Sequence, residues 1–99
     1  MSRRAKQAAA RSPDEQLSIL GLRPGERVRW RPAPSGRWLY GSVKGREHDG
    51  SIAITEDGGA SRSIPVARLE VRTEGARGGE RWEPVTVRAG RAEQLSLDL

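Results

Sequence analysis

Cysteine and phenylalanine are both missing from this 99-residue chain. Without cysteine there is no disulfide framework and no thiolate metal site. The same absence fits a reducing compartment, so a cytoplasmic location is expected. Histidine occurs once, as His48, with no nucleophile or orienting acid at a recognisable spacing, so no catalytic residue is assigned and the chain is expected not to be an enzyme. No apolar run approaches the length of a membrane span. The charged start, residues 1–11, is followed by no apolar core, so it is not a secretory signal, and no membrane partner is expected. Lysine is nearly absent too: apart from Lys6 and Lys44, every basic side chain is arginine.

What is present is an excess of positive charge, with 18 Lys and Arg against 13 Asp and Glu, a net charge of +5 and a pI near 10.9. A basic surface attracts phosphate backbones through counterion release. Abundant Arg, Ala and Gly are also the signature of a GC-rich genome, so composition alone leaves both readings open.

Along the chain, residues 1–11 form a basic, Ala-rich arm, expected to be disordered and to order on an acidic partner. Residues 12–21 read as a short capped helix. Ser12 is the cap, Pro13 the first helical residue, Glu15 the second half of a capping box, and Gly21 the left-handed stop. Leu17 and Leu20 share one face of it. Pro24 and Gly25 centre a turn, after which the period changes to two. Val28 and Trp30 alternate with Arg27, Arg29 and Arg31. Leu39, Gly41 and Val43 alternate with Trp38, Tyr40, Ser42 and Lys44. Ile52 and Ile54 mark a third strand, residues 60–64 a fourth, and Leu69 and Val71 a fifth, with hairpin turns at His48-Asp49-Gly50 and Glu56-Asp57-Gly58-Gly59. Pro65 predicts a turn of 3₁₀ helix before the last of these strands. The expected core is Val28, Trp30, Leu39, Val43, Ile52, Ile54, Ile64, Leu69 and Val71.

Residues 74–80 read as a Gly-rich linker, lacking the Lys-Ser/Thr of a phosphate loop. Residues 81–99 read as an extra edge strand carrying Trp82, Pro84, Val85 and Val87, followed by an extended leucine tail.

The pattern Gly25-Glu26-Arg27-Val28, Gly36-Arg37-Trp38, Gly41-Ser42-Val43, Asp49-Gly50-Ser51-Ile52, Glu56-Asp57-Gly58-Gly59 and Ile64-Pro65-Val66-Ala67-Arg68-Leu69 resembles the SH3-like, Tudor and KOW small-barrel superfamily. The resemblance covers residues 25–71. It implies a mainly β protein built on a single small five-stranded SH3-like (Tudor-like) barrel over residues 22–73, with a short N-terminal helix and flexible termini. Members of that superfamily often bind RNA, DNA or peptides. A Tudor-type cage needs several converging aromatics, and only Trp38 and Tyr40 occupy matching positions.

The same two rings sit opposite the core face, among cations. Arg29, Arg31, Arg37, Trp38, Tyr40, Lys44 and Arg46 therefore form the candidate nucleic-acid surface, in which bases stack on rings and cations neutralise phosphates. The competing reading packs Trp38 beneath the N-terminal helix or the C-terminal strand. The tail resembles the hexapeptide form of the bacterial sliding-clamp-binding motif. Gln94 would enter a polar subsite, Leu95 would pack beside it, and Leu97 and Leu99 would fill an apolar cleft. Alternating leucines are equally the ordinary signal of a strand.

Two functions follow. The first is a non-enzymatic nucleic-acid-binding accessory module, with DNA and RNA both open. The second is an adapter docking on a sliding clamp or another replication or repair protein. Neither uses a metal or a cofactor. His48 and the Glu56-Asp57 pair are read as turn residues.

Overall fold

The computed structural model describes residues 13–97. The expected basic arm, its Ser12 cap and Leu99 lie outside the described residues.

Helix α1, Pro13–Ser18, is short because it is stopped hard. Gly21 takes a left-handed φ of 74°. The Leu22 amide bonds to the Leu17 carbonyl at 3.0 Å and the Gly21 amide to the Ser18 carbonyl at 2.9 Å, which is the Schellman pattern. Six residues cannot hold a helix alone. Burial of Leu17, Leu20 and Leu22 does so here, at roughly 1.5–3 kcal/mol per large apolar side chain. The helix packs against β2.

The strands are β1 Arg27–Trp30, β2 Leu39–Arg46, β3 Ile52–Glu56, β4 Ser61–Ile64, β5 Glu70–Glu74 and β6 Glu80–Pro84. All pair antiparallel in one sheet of order β4-β3-β2-β1-β5-β6. The mainly β class is as expected. The hydrogen-bonded ladder is open, however: β4 and β6 are its edges and do not pair with each other. The sheet thus holds the five expected strands and the expected extra edge strand, β6, which ends earlier than read, in an open ladder where a barrel was expected.

Alternation placed the core correctly. Val28, Trp30, Val43, Ile52, Ile54, Leu69 and Val71 are buried, and Leu39 and Ile64 pack against them. Turn chemistry is also as read. Pro24 and Gly25 (φ 90°) form a turn closed by the Glu26 amide on the Arg23 carbonyl. A 3₁₀ turn, Val66–Arg68, follows Pro65.

The C-terminal third departs from expectation. Residues 75–79 are the tight turn of a β5–β6 hairpin, closed by Gly75 amide to Gly79 carbonyl at 2.7 Å, with Gly78 left-handed. A linker was expected there. Beyond Pro84 the chain forms helix α2, Val85–Leu97, where a strand and an extended tail were expected. A strand would place Val85 and Val87 on one face. The helix buries Val85 completely and leaves Val87 53% exposed. Val85, Ala89 and Ala92 follow helical spacing, and Ala89 packs on the core. The Val85 amide bonds to the Leu69 carbonyl, fixing the start of α2 on the sheet. No helix among the described residues is long and apolar enough to cross a membrane.

Candidate functional site

The outer face of the sheet carries three of the four aromatic side chains, Trp38, Tyr40 and Trp82, while Trp30 lies in the core. Antiparallel register sets Arg29 opposite Tyr40 on one side and opposite Glu70 on the other. The β5–β6 hairpin then brings Trp82 opposite Arg72. Trp38 enters from the end of the loop before β2.

These residues converge. The Arg29 guanidinium lies 3.9 Å from the Trp38 ring centre and 4.7 Å from that of Trp82. Tyr40 and Trp82 meet edge to face with centroids 5.6 Å apart. The Arg31 guanidinium stacks on Trp38 at 4.3 Å, and that of Arg27 lies over Tyr40 at 5.6 Å. Cation–ring attraction of this kind strengthens as water is removed, and all three rings are half-buried.

Acidic partners subtract much of the charge. Arg29 donates from Nε to Glu70 Oε1 at 2.8 Å, and its Nη2 lies 2.6 Å from the same oxygen. Arg27 pairs with Asp57, Nη2 to Oδ2 at 2.6 Å. That hydrogen bond holds the Asp57 carboxyl below its ordinary pKa. Arg72 pairs with Glu80 at 3.3 Å. Arg31 and Arg37 form no ion pair among the described residues, and Arg37 is exposed.

Of the expected site residues, the structure groups Arg29, Arg31, Trp38 and Tyr40. Arg29 takes the outer face, as alternation predicts, and there fills the space between two indoles. Lys44 does not join this group. It sits at an irregularity in β2, where pairing slips between Val43 and Gly45, and it lines a groove with Ser61, Arg62 and Ser63. Arg46 is likewise outside this group: it is half-buried and donates to the Gly50 carbonyl at 3.3 Å and to the Gln16 carbonyl at 3.4 Å, so it ties α1 to β2. On α2, Gln94 is exposed and Leu95 is 64% exposed. Leu97 is helical, so the tail up to that point does not have the extended form that alternating leucines suggested.

Trp82 and Glu70 were missed as site residues. The signal for Trp82 was the run Gly75-Ala76-Arg77-Gly78-Gly79 between two polar alternating stretches, a hairpin turn whose register dictates which face the tryptophan takes.

Comparison of this chain with family models, with curated proteins and with solved structures found no match.

Proposed function

We propose that the outer face of the sheet is a binding platform for single-stranded nucleic acid, in a small protein without catalytic activity. The observation that carries this reading is the cluster in which Trp38 and Trp82 flank Arg29 and Tyr40 meets Trp82 edge to face, with Arg31, which forms no ion pair among the described residues, stacked on Trp38. Bases offer a π-face to rings whatever their identity, and the surrounding cations neutralise the backbone. His48, the lone histidine, is an exposed turn residue between β2 and β3, which favours binding over catalysis. The five-strand order with β1 between β2 and β5, and a 3₁₀ turn before β5, supports an SH3-like unit to which β6 and α2 are appended.

The test is fluorescence anisotropy with labelled single-stranded DNA, duplex DNA and single-stranded RNA at low and moderate salt. Salt-sensitive, saturable binding that favours single strands is expected. Trp38→Ala should weaken it by about tenfold or more, since each stacked base contributes about 1–3 kcal/mol. The salt slope should barely move, because the substitution removes no charge. Unchanged affinity in a folded Trp38→Ala protein would reject the platform.

A second reading rests on Leu95, a large apolar side chain left 64% exposed near the end of α2. We propose, as the alternative, that residues 94–99 unwind and dock on a sliding clamp. Deleting 94–99 should abolish capture by a purified bacterial clamp and leave Tm unchanged, because α2 contributes Val85, Ala89 and the half-buried Ala92 to packing before Gln94. A large fall in Tm would show instead that the segment is structural.

A further inference from the structure

Arg29 is preorganised for an anion larger than the one it holds. Two indoles flank its guanidinium, so little side-chain freedom remains to be lost. Its Nε and Nη2 both point at a single oxygen of Glu70. A guanidinium fork is best matched by two oxygens, as in a bidentate phosphate. Glu70 in turn borders a notch between the loop preceding β2 and the 3₁₀ turn, of about 290 Å³, whose walls include Arg31, Trp38, Arg68 and Pro84. Arg68 braces the far wall, donating to the carbonyls of Arg31 and Pro32. Arg31 and Glu70 both line this notch, and Arg29, outside the lining, is reached through its contact with Glu70.

We propose that the notch is a subsite for a phosphate group carried on single-stranded nucleic acid, and that Glu70 is its built-in competitor. The arriving phosphate takes the fork of Arg29, and the Glu70 carboxylate, already about a quarter exposed, turns to solvent. Exchanging one anion for another gains little by itself. A bare phosphate is therefore held poorly, while a nucleotide that also stacks on Trp38 is retained. Glu70 makes stacking a condition of binding. This inference rests on the platform reading above.

The experiment is anisotropy with a labelled oligothymidylate across a salt series, using the full chain and its Glu70→Gln, Arg29→Gln and doubly substituted forms. Inorganic pyrophosphate serves as the competing probe. Circular dichroism melts check that each protein is folded, and Glu70→Asp is the reserve variant should Glu70→Gln fail to fold. Glu70→Gln should tighten oligonucleotide binding about fivefold, the scale of one partly exposed charge pair. It should steepen the salt slope by about 0.7, one phosphate's worth on a single strand. Glu70→Asp, which keeps the charge on a shorter stem and loosens its grip on Arg29, should tighten binding by a smaller factor. Arg29→Gln/Glu70→Gln should lose both gains. Pyrophosphate should compete only in the Glu70→Gln protein. If the double variant keeps the gain, general charge and not Arg29 is responsible, and the inference fails. It fails too, with the platform left standing, if the oligonucleotide binds all four proteins alike. If neither the unaltered protein nor Glu70→Gln binds the oligonucleotide, platform and subsite fall together.

Discussion

Gly41→Ala is expected to lower Tm by about 15 °C or more, the shift that roughly 3 kcal/mol produces in a domain of this size. Gly41 lies in the middle of the sheet, paired with Val28 on one side and Glu56 on the other. A Cβ built there would sit 2.5 Å from the Thr55 carbonyl oxygen, 2.7 Å from Ile54 Cγ2 and 3.1 Å from Glu56 Cα. Two of those three atoms are backbone, so no rotamer change relieves the clash. Separating β2 from β3 would relieve it only by breaking the ladder that aligns Val43 with Ile54 in the core. Interiors packed near crystal density tolerate such insertions poorly. Gly45, in the same strand, is the control: nothing lies within 4 Å of its Cβ position, and Gly45→Ala should change Tm by only a few degrees. Thermal melts of both variants decide the matter. Equal Tm values would mean that β3 does not approach β2 at Gly41 as closely as described. The same residue links stability to the site, because Gly41 lets β3 close on β2 beside Tyr40, whose carbonyl accepts the Asp57 amide at 3.1 Å.

From residue 13 to about residue 74 the fold was legible because side-chain period and turn chemistry agree there. Val28 and Trp30 go inward and Arg27 and Arg29 outward, as strict alternation requires. Gly21, Gly25, Gly50 and Gly59 all take the positive φ that their turns demand. The last third misled for identifiable reasons. Valines at 85 and 87 and leucines at 95, 97 and 99 carry a period of two, and they are the bulky residues. The true helical stripe runs through Val85, Ala89 and Ala92, and alanine registers weakly as an apolar signal. Gly90 within the helix, costing about 1 kcal/mol relative to alanine, weakened the helical pattern further. Once residues 75–79 are read as a linker, the register of β6 is lost, and with it the position of Trp82. Arg46 shows a different gap. An arginine's place in a strand does not reveal which carbonyls its five donors will find, and here one lies on a helix thirty positions earlier and the other in the turn four positions later.

Arg88→Ala is expected to cost about 2–3 kcal/mol, somewhat less than the loss of one partner from a fully buried ion pair because the site is not wholly dry. Arg88, only 15% exposed, joins three parts of the fold. Its Nη1 donates to Glu26 Oε2 at 2.7 Å, in the segment leading into β1, and approaches the Gly21 carbonyl at 3.4 Å; its Nε donates to Glu83 Oε1 at 3.2 Å on β6. Gly21 itself fits beneath this side chain: a Cβ there would lie 2.9 Å from Arg88 Cγ. Truncation removes that packing and takes one partner from each of the Glu26 and Glu83 carboxylates, although Glu26 keeps the Arg23 amide at 2.9 Å and Glu83 keeps Arg91 at 2.8 Å. The same cluster sets an acid limb. Hydrogen bonds from Arg91 first, and then from Arg88, hold the Glu83 carboxyl below its ordinary value of 4.5 against the opposing effect of burial. A depressed folded-state pKa means stability that is fully present above pH 4.5 and is lost as pH falls through the lower folded value. Tm measured from neutral pH downward should therefore hold until about the ordinary carboxylate range and then decline. In Glu83→Gln the neutral-pH Tm should already be lower and the acid decline shallower, since the group that titrates has gone. Parallel pH curves for the two proteins would show that Glu83 is not the carboxylate responsible. An unchanged Tm in Arg88→Ala would show that α2 is held by Val85, Ala89 and the Arg91–Glu83 pair without help from Arg88.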